Sequence, residues 1–573
     1  MYSAIVPPFQ TPDEFDHVAR AYMLAHGDLV LHSEDGKASG GNVDTGLLNY
    51  MAIFRPLAGK YDRKLSTDEQ EQAAAIPWSG ATTRAYPTGT NYYFPVMYAP
   101  QALGLAVGEG LGLPVSQAYR LSRYMTLACI VGLLWFAFQI FPPPAAVVGI
   151  LLLPMGMFLT TGITLDAITT ATAVVGLSAF MRVITQGRDT PRWIVWSMVV
   201  AMGLVCASRA NALPFLLLLF GAWWVTRERK LLISSVTCTA VALAWTLISI
   251  KRTVYRAGDP HAVDHAGRLM HFVAHPGDFL GILYATITNK PIQSYYLTSY
   301  IGSLGWLDSS FAISTYYILG LLLIGTVVFG LSRDALAEHR VMRVTLVVCS
   351  AAMILLTFLA MLVQWTIGMP DVIQGVQGRY FIIPSIAVVY ALTADARPRQ
   401  SAMERISAVL VVALALVSIY ATTRLLIIRY YAPSTQAGAT VKPVLAPSLV
   451  LTSYRPITLH FPADVVADPA PLNSLEIMFG TYGRINHGEG KIELWTSKGE
   501  RFERMIDLKD VGDNAYLSIL LDGKSYMGGQ VTVTGGEGIS SWETHLGDEA
   551  ATTCMKFHYK DGTTRTIMHC PQM

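Results

Sequence analysis

A short polar stretch near the start of the chain, VPPFQTPDEFDHVARAY, concentrates acidic, imidazole and guanidinium side chains. Asp13 and Glu14 are followed by His17 and then by Arg20, at spacings that bring side chains onto one side of a helix. Such a face could take a proton from an attacking hydroxyl, hold Mg²⁺ or Mn²⁺ through Asp13, Glu14 and His17, or bind a phosphate through Arg20. The alternative is a capped amphipathic helix whose charged face is solvated.

The residues just before this cluster predict the helix that carries it. Thr11 suits the cap of a helix and Pro12 its first position. Asp13 and Glu14 would then lie in the first turn, where the helix dipole favours anions. We therefore expect the cluster to lie on a short helix at a membrane surface.

The rest of the chain has the composition of a protein that crosses a membrane several times. Of its 573 residues, 52% are hydrophobic and only 14% are charged, whereas soluble domains carry about 25% charged residues. The mean hydropathy is +0.40. The net charge of +2 gives no reason to expect a nucleic-acid partner.

Ten apolar runs without Asp, Glu, Lys or Arg predict about ten helices that span a lipid bilayer. These runs are Tyr124–Phe141, Ala145–Thr160, Ala167–Met181, Trp193–Ala207, Ala212–Val225, Leu231–Ile250, Ile313–Leu331, Val344–Trp365, Tyr380–Leu392 and Ile406–Tyr420. A shorter segment, Ala99–Val115, is interrupted by Glu109 and is expected to be interfacial or re-entrant. The predicted transmembrane domain covers residues 117–430 and follows an N-terminal loop of residues 1–116.

Basic residues predict the orientation of these helices. After the third run, every second connection carries three of them. They are Arg182, Arg188 and Arg192; Arg227, Arg229 and Lys230; Arg333, Arg340 and Arg343; and Arg397, Arg399 and Arg405. The alternate short connections hold only Arg209 and Arg379. The positive-inside rule therefore places the N-terminal loop and the region after Tyr430 on the outer side of the membrane.

This orientation requires a polar N-terminal segment of about 116 residues to cross the membrane with no hydrophobic run before it. We expect a further helix or a signal sequence upstream of this chain. The alternative is that the first helix acts as a reverse anchor.

Three charged residues support a site at the outer face. Asp166 lies at the outer end of its predicted helix, where a carboxylate is costly unless it faces water or a cation. The alternative is an interfacial acid that extends toward the membrane surface. Arg209 and Arg379 would suit a lipid-linked phosphate. They could instead contact lipid headgroups or pair with Asp166 or Asp371.

Two further motifs, GVQGRYF and GSLGWLDSS, carry candidate site residues. In the first, Gln377 and Tyr380 flank Arg379 and could line a cavity. In the second, Trp306 is either an aromatic platform for a sugar ring or an aromatic residue of the membrane interface, and Asp308 follows it. His261 with His265 and His271 with His275 have a spacing that could bind metal, although surface histidine pairs are common. 

The C-terminal region, residues 431–573, predicts an all-β domain. Short alternating runs separated by Asn, Gly and Asp-Gly turns are typical of a sandwich or a jelly roll. Its last two strands should form a hairpin, in which a two-residue loop would leave Cys554 and Cys570 one position out of register. A three-residue loop, Asp561–Thr563, would set them face to face. We expect a disulfide on the oxidising outer side, with two unpaired thiols as the alternative.

Five motifs occur in order along the chain: PPFQTPDEFDHVARAY, YYFPVMYAPQALGLAVGEGLG, TGITLDAITTATAVVGL, IGSLGWLDSSF and GVQGRYFIIPSIAVVYAL. They resemble an uncharacterised family of bacterial polytopic membrane proteins, a domain of unknown function, which is itself similar to the GT-C class of glycosyltransferases. The resemblance covers about residues 6 to 395. Members usually begin with a helix before the PPFQ motif, in agreement with the expected upstream segment.

The resemblance implies an activity. GT-C enzymes use polyprenyl-phosphate-linked sugars and carry a catalytic carboxylate in the first outer loop, which would make Asp13 or Glu14 the general base or a metal ligand. The acceptor would be a cell-envelope glycan or lipid, and the configuration of the sugar would invert. Arg379 or Arg209, with or without Mg²⁺ or Mn²⁺, would stabilise the leaving phosphate. The β domain would hold the acceptor.

The sequence is also compatible with two functions other than glycosyl transfer. A transporter or flippase usually keeps ionisable groups near the middle of the membrane, whereas these predicted helix cores carry none. A non-catalytic scaffold for envelope polysaccharide assembly is the third possibility.

Overall fold

The computed structural model shows two compact units. It describes residues 2–32, 39–87, 89–252, 265–331, 337–366, 371–395, 402–432, 444–448, 451, 456–462, 465–466, 470–481, 486–533, 539–545, 552–567 and 570. The first unit comprises Met1–Ala257 and Val263–Pro433 and is mainly helical. The second comprises Gly258–Ala262 and Ser434–Met573 and is built of β-strands.

The helical unit contains helices long enough to span a membrane. Its helices, numbered α1 to α19 in chain order, are Tyr2–Ile5, Glu14–Ala25, Thr45–Phe54, Thr67–Ala74, Ala99–Gly110, Val115–Ile140, Ala145–Leu151, Pro154–Leu159, Leu165–Gln186, Arg192–Ser208, Leu216–Thr226, Arg229–Arg252, His265–Ala274, Pro276–Thr288, Lys290–Ile301, Ile313–Gly330, Arg340–Gln364, Ile382–Thr393 and Ala402–Tyr430. Among the described residues, six helices (α6, α9, α12, α16, α17 and α19) are long and apolar enough to cross a membrane. Three shorter apolar segments are Arg192–Ser208, Ala210–Thr226 and Gly378–Thr393. A polytopic helical chain is therefore confirmed, whereas the count of ten spanning helices is not.

One predicted spanning helix is broken. The sequence predicts a single helix over Ala145–Thr160, but the structure has two short ones, α7 and α8. Pro154 is the first residue of α8, and Leu153 before it is extended, with φ −59° and ψ 150°. A proline has no N–H for the helical ladder and disfavours the helical conformation of the residue before it, which explains the break.

Helix α9 lies at the centre of the helical unit because small residues run along it. Ala171, Ala173 and Ala179 are almost completely buried. A Cβ atom on Gly176 would lie 3.0 Å from Cε of Met202, so α10 packs directly on the α9 backbone. The first turn of this central helix carries Asp166.

The segment before α6 packs tightly on the spanning helices. A Cβ atom on Gly104 of α5 would lie 2.4 Å from Cα of Ser122, and one on Gly108 would lie 2.4 Å from Cβ of Ala118. Because these glycines let α5 touch α6, residues on both sides of the predicted boundary at 116 and 117 belong to one compact unit. That boundary falls inside α6, which begins at Val115.

The strands form small ladders in the helical unit and two sheets in the β unit. Numbered β1 to β15, they are Gly41–Asp44, Thr82–Ala85, Ser303–Leu304, Ser309–Ser310, Val444–Pro447, Ile457–His460, Leu472–Gly480, Glu489–Trp495, Arg501–Asp507, Ala515–Leu520, Gly528–Val533, Ser540–His545, Thr552–Thr553, Met555–Tyr559 and Thr564–Thr566. In the helical unit β1 pairs with β2 and β3 with β4. In the β unit one sheet has the order β6-β11-β8-β9, and β7 pairs with β10, β12 and β14 in the other.

Both sheets of the β unit contribute to one hydrophobic core. Leu475 and Phe479 of β7 are fully buried in it, as are Ile492 and Leu494 of β8. Side chains that alternate along each strand therefore meet between the two sheets. This arrangement agrees with the predicted β-sandwich.

The C-terminal hairpin differs by one residue from its prediction. The Tyr559 N–H donates to the carbonyl oxygen of Thr563 at 2.9 Å, just before β15 begins at Thr564, so this pair closes a loop of residues 560–562 and not Asp561–Thr563. The structure nevertheless joins Cys554 and Cys570 by a disulfide bond. Cys570 reaches its partner because the chain turns after β15, where the Cys570 N–H donates to the carbonyl oxygen of Ile567 at 3.1 Å.

Candidate active site

Helix α2 begins at Glu14, and the residue before it has a left-handed backbone. Asp13 has φ 60° and ψ 11°, and its side chain does not cap the helix. Such a conformation is uncommon outside glycine, although aspartate adopts it more readily than most residues. The helix thus begins two residues later than the predicted start at Pro12. As a result, the adjacent carboxylates of Asp13 and Glu14 have entirely different partners.

The carboxylate of Glu14 is fully buried. It accepts hydrogen bonds from the hydroxyl of Tyr119 and Oγ1 of Thr11, both at 2.6 Å, and from the N–H of Ile163 at 2.8 Å. Burial alone would raise the pKa of Glu14, but the Arg123 guanidinium at 3.4 Å and these hydrogen bonds outweigh it and lower the pKa. A carboxylate enclosed in this way cannot reach a substrate, so Glu14 is not a candidate base or metal ligand.

The carboxylate of Asp13 is accessible and ends a chain of four alternating charges. Its Oδ2 accepts a hydrogen bond from Nη2 of Arg379 at 2.7 Å. Nη1 of Arg379 lies 3.6 Å from Oδ2 of Asp166, whose Oδ1 accepts a hydrogen bond from Arg209. The exposed fraction of the side chain is 50% for Asp13, 15% for Asp166, 14% for Arg209 and 3% for Arg379. The two acids and the two arginines therefore balance in charge, and Asp13 is the most exposed of the four.

Both arginines retain hydrogen-bond donors that no described residue accepts. Nε and Nη1 of Arg379 and Nε of Arg209 are buried without a hydrogen-bond partner in the described part of the chain. Unpaired buried donors are costly in free energy. An anionic oxygen is the kind of group that would satisfy them.

Helix ends bring these distant charges together. Asp166 lies in the first turn of α9, Arg209 directly follows α10, and Arg379 lies in a 3₁₀ turn before α18. Since α9 and α10 are consecutive and packed together, the start of one lies beside the end of the other. The N-terminal segment then adds Asp13 at the same end of the helical unit.

The 3₁₀ turn before α18 fits only because residue 378 is glycine. A Cβ atom on Gly378 would lie 2.2 Å from N of Tyr300 and 2.3 Å from the carbonyl oxygen of Tyr296. The Gly378 N–H donates to Oγ of Ser299 at 2.8 Å, so α15 supports this turn directly. Oε1 of Gln377 is buried without a partner among the described residues, and the role of Gln377 as a phosphate ligand stays a prediction.

Tyrosine rings surround the charged groups. The ring centroid of Tyr93 lies 5.7 Å from the guanidinium carbon of Arg209, and its hydroxyl accepts a hydrogen bond from Tyr92 at 3.3 Å. Tyr380, predicted to line the site, has its ring centroid 5.4 Å from the guanidinium carbon of Arg379. Tyr92 and Tyr93 were not predicted as site residues, although the YYFPVMY motif was a signal that could have revealed them.

His17 borders the same cluster as an uncharged group. Its Nδ1 lies 2.7 Å from the hydroxyl of Tyr98, and its ring stacks on Tyr93 with centroids 6.1 Å apart. Burial lowers its pKa to about 4, against the opposing influence of the Asp13 and Asp166 carboxylates. At neutral pH His17 is therefore a hydrogen-bonding group and not a cation.

Three other predicted site residues have structural partners instead. Arg20 is 1% exposed and donates to two backbone carbonyls of the loop after α2, so it does not present a phosphate site. Trp306 donates through Nε1 to the carbonyl oxygen of Phe9 at 3.0 Å. Asp308 forms an ion pair with Arg429 at 2.8 Å. Arg20 was predicted from helical spacing, and Trp306 and Asp308 from a sequence motif, and neither kind of pattern identifies the partner of a side chain.

The predicted metal ligands are not brought together. Glu14 is directed away from Asp13 and His17, and within the described ranges no three His, Cys, Asp or Glu side chains are grouped for a metal ion.

The two histidine pairs predicted from the sequence also do not form a metal-binding group among the described residues. His261 lies outside the described residues, His265 bonds to a backbone carbonyl of α17, and the rings of His271 and His275 stack at 4.8 Å.

An apolar groove runs along the surface between α10 and α12. It has a volume of about 460 Å³. Its lining residues are Phe94, Trp196, Val199, Val200, Gly203, Leu204, Ala207, Ile233, Ser234, Thr237, Cys238, Val241 and Ala242. Phe94 directly follows Tyr93, and Ser249 of α12 donates to the carbonyl oxygen of Tyr92 at 3.1 Å. Phe94 is thus shared between the wall of the groove and the segment that carries the tyrosines beside Arg209, and the apolar walls suit a hydrocarbon chain.

Comparisons with known proteins give one family and one distant structural likeness. The chain is similar to the arabinosyltransferase EmbB from Mycobacterium smegmatis at 13% identity and a TM-score of 0.25, over 88% of this chain and 64% of that one. This chain thus spans less than two thirds of EmbB, and a TM-score this low carries no argument about activity. A search of curated proteins finds no match. Residues 1–389 match the family described as "Predicted membrane protein (DUF2142)", and because this match covers more than half of the chain, the protein belongs to that family.

Proposed function

We propose that this protein is a membrane glycosyltransferase of the GT-C type. It transfers a sugar from a polyprenyl-phosphate carrier to a hydroxyl group of a cell-envelope glycan or lipid. The observation that carries the proposal is the ion pair between the accessible carboxylate of Asp13 and Arg379, beside a second arginine with an unpaired donor. This arrangement combines a base for the acceptor with cationic groups for a phosphate.

Asp13 acts as the general base. Its Oδ2 is held by Arg379, whereas its Oδ1 accepts no hydrogen bond from the described residues. Proton removal needs a carboxylate that is fixed in orientation and within hydrogen-bond reach of the attacking hydroxyl. Half of the Asp13 side chain is exposed, so an acceptor arriving from water can reach it.

The reaction exchanges one carbon–oxygen bond for another. The acceptor oxygen attacks the anomeric carbon, and the bond between that carbon and the phosphate oxygen breaks. The hydroxyl proton passes to Asp13, and the electron pair of the broken bond leaves on the phosphate. The products are a glycoside and polyprenyl phosphate, and attack from the side opposite the leaving group inverts the anomeric configuration.

Arg209 and Arg379 stabilise the phosphate as it leaves. Negative charge grows on the phosphate during bond cleavage, and the unpaired N–H groups of these two residues can donate to it. Asp166 contacts both guanidiniums and balances their charge before the donor binds. Such preformed donors need little rearrangement when the substrate arrives.

The apolar groove supports a lipid-linked donor over a water-soluble nucleotide sugar. Its walls are formed by α10, α12 and Phe94, which follows the tyrosine pair at the site. An isoprenoid chain in this groove would leave its phosphate near Arg209.

The site lies at the outer face of the inner membrane. Asp166 and Arg209 lie at the ends of α9 and α10 that are opposite to Arg182 and Arg192, and the basic connections of a membrane protein favour the cytoplasm. The acceptor glycan would therefore come from the periplasmic or extracellular side.

Donor turnover tests this function. Purified protein in lipid nanodiscs would receive polyprenyl-phosphate sugars and envelope glycans, and release of polyprenyl phosphate would be measured. We expect Asp13→Asn to lower turnover about 100-fold or more, since loss of a general base costs two to four orders of magnitude. Glu71→Gln, an exposed acid of α4 outside the cluster, is the matched control and should turn over like the wild type.

Three results would contradict all or part of the proposal. Wild-type protein that releases no polyprenyl phosphate from any donor is not such an enzyme, and one that moves the intact donor across the bilayer is a transporter. Full turnover by Asp13→Asn would remove Asp13 from the mechanism.

A further inference from the structure

The outer face of one sheet of the β unit carries an indole ring among polar side chains. In β8 the side chains of Ile492 and Leu494 are fully buried in the core. Since successive strand residues point to opposite faces, Lys491, Glu493 and Trp495 belong to the outer face. All three residues belong to the β unit.

The indole of Trp495 lies against the backbone of the neighbouring strand. Gly528 of β11 is directly opposite Trp495, and a Cβ atom there would lie 3.2 Å from Nε1 and 3.3 Å from Cζ2 of the indole. The absence of a side chain at Gly528 leaves the space that the ring occupies. On the other side of Gly528 the paired residue is His460 of β6, which is exposed. The indole and the imidazole thus flank the same short stretch of β11.

The next row on this face contains an oriented amide. Gln530 of β11 lies opposite Glu493 and donates through Nε2 to its Oε2, while Nζ of Lys491 contacts the other carboxylate oxygen. The Glu493 side chain is only 8% exposed, so these contacts hold the carboxylate, and through it the amide, in place. The Gln530 carbonyl oxygen and the Trp495 N–H have no hydrogen-bond partner among the described residues.

We infer that this face binds a glycan, with one pyranose ring lying on Trp495. The nonpolar face of a pyranose, formed by its C–H bonds, packs on an indole, and the hydroxyls around the ring exchange hydrogen bonds with amides and imidazoles. His460, across Gly528 from the indole, and Gln530, in the next row of β11, offer such groups beside it. A stable protein partner would need an apolar contact area with few charges, whereas the indole here is surrounded by charged and polar side chains.

The glycan bound by the β unit and the reaction at the helical site are linked if that glycan is the acceptor of the transferred sugar. The statement that this glycan is the acceptor of the transferred sugar rests on the proposed function, whereas binding by the β unit does not. A surface of this kind would raise the local concentration of acceptor chains near the membrane. It therefore predicts a polysaccharide or oligosaccharide acceptor and not a simple lipid alcohol.

The test measures binding to the full-length protein in nanodiscs without any sugar donor. The probes are linear hexasaccharides of glucose, mannose and galactose. Their binding is measured by calorimetry and by saturation-transfer NMR. We expect at least one to bind, and Trp495→Ala to weaken it about tenfold or more through loss of ring packing. Trp495→Tyr keeps an aromatic platform and should stay within about threefold of the wild type.

A control variant on the same sheet distinguishes glycan binding at Trp495 from nonspecific binding to the surface. Met505 is 52% exposed and pairs with Lys491, so Met505→Ala should bind like the wild type. Failure of all three probes to bind, or equal binding by wild type and Trp495→Ala, would overturn the inference. Donor turnover that depends on Asp13 without hexasaccharide binding would overturn this site alone, whereas Trp495-dependent binding without turnover would overturn only the proposed function.

Discussion

Asp13 and Glu14 are neighbours in sequence, but the Asp13 carboxylate is half-exposed and the Glu14 carboxylate is fully buried. Phe9 and Asp13, with φ 62° and φ 60°, both have left-handed backbones, which few residues other than glycine adopt without cost. Surrounding contacts keep them there, because the Phe9 N–H donates to Tyr119 and the Glu14 carboxylate accepts from Thr11. Strain of this kind clusters at functional sites. We infer that Glu14 is a positioning residue that keeps Asp13 directed toward Arg379.

Replacement of each acid should therefore change a different property. Glu14→Gln leaves the buried guanidinium of Arg123 without its counter-charge and should lower the free energy of unfolding by about 3–5 kcal/mol. Asp13→Asn removes a half-exposed ion pair and should cost about 1 kcal/mol or less. Thermal unfolding in detergent would measure both. Equal stability of wild type and Glu14→Gln would contradict the structural role.

The pH dependence of stability should reveal two titrating groups with opposite effects. Asp16 accepts a hydrogen bond from the N–H of Gly89, and burial raises its pKa from 3.8 to about 6, while burial lowers the pKa of His17 from 6.5 to about 4. Between pH 4 and 6 the folded chain holds a proton on Asp16 that the unfolded chain has lost, so this contribution to stability falls as pH rises. Over the same range the unfolded chain holds a proton on His17 that the folded chain lacks, so that contribution rises.

The two contributions oppose each other in the wild type and separate in single variants. Relative to the wild type, Asp16→Asn should gain stability as pH rises from 4 to 6, and His17→Asn should lose it. Thermal unfolding at several pH values would record the differences. Profiles that run parallel to the wild type would show that these residues titrate normally in the folded protein.

At the scale of elements, helix ends and glycines assemble the site. The α9, α10 and α18 ends deliver Asp166, Arg209 and Arg379, and α15 supports the turn before α18 through Gly378. Apolar runs predicted where most of these helices lie, because hydrocarbon favours uninterrupted apolar residues. They did not predict the break at Pro154 or the late start of α2, because both depend on local backbone conformation.

Gly378→Ala should disturb the turn that carries Arg379. The added methyl group would overlap backbone atoms of α15 at 2.2 and 2.3 Å, and backbone atoms cannot move aside as a flexible side chain can. We expect a loss of about 2–5 kcal/mol in unfolding free energy together with lower donor turnover. Gly132→Ala in α6 is the matched control, since nothing lies within 4 Å of its added Cβ. A fully active and stable Gly378→Ala would show that α15 does not fix this turn.

At the scale of the whole molecule, the family membership, the helical membrane unit and the C-terminal β unit all follow from patterns in the sequence. The partners of individual charges do not, since they join residues far apart in the chain. Arg209 and Arg379 were candidates for a phosphate or for pairing with Asp166, and the structure shows that they pair with it while keeping unpaired donors. Trp306 was a plausible sugar platform by type, yet its N–H bonds to a backbone carbonyl.

The orientation in the membrane is a property of the whole chain and can be measured with cysteine variants. Glu71 and Asp189 are exposed residues, and the charge pattern predicts that they lie on opposite sides of the bilayer. A membrane-impermeant maleimide should label Glu71→Cys in intact cells and Asp189→Cys only after permeabilisation. The reverse pattern would place the candidate site in the cytoplasm.

The general-base role of Asp13 can be isolated by changing the acceptor. A hydroxyl must lose its proton during attack, whereas azide attacks the anomeric carbon as an anion and needs no base. In nanodiscs with polyprenyl-phosphate sugar, Asp13→Asn should fail with the hydroxyl acceptor, by about 100-fold or more, but form glycosyl azide at a rate close to that of the wild type. Undiminished transfer to the hydroxyl acceptor by Asp13→Asn, or equal loss with both acceptors, would contradict the assignment of Asp13 as the base.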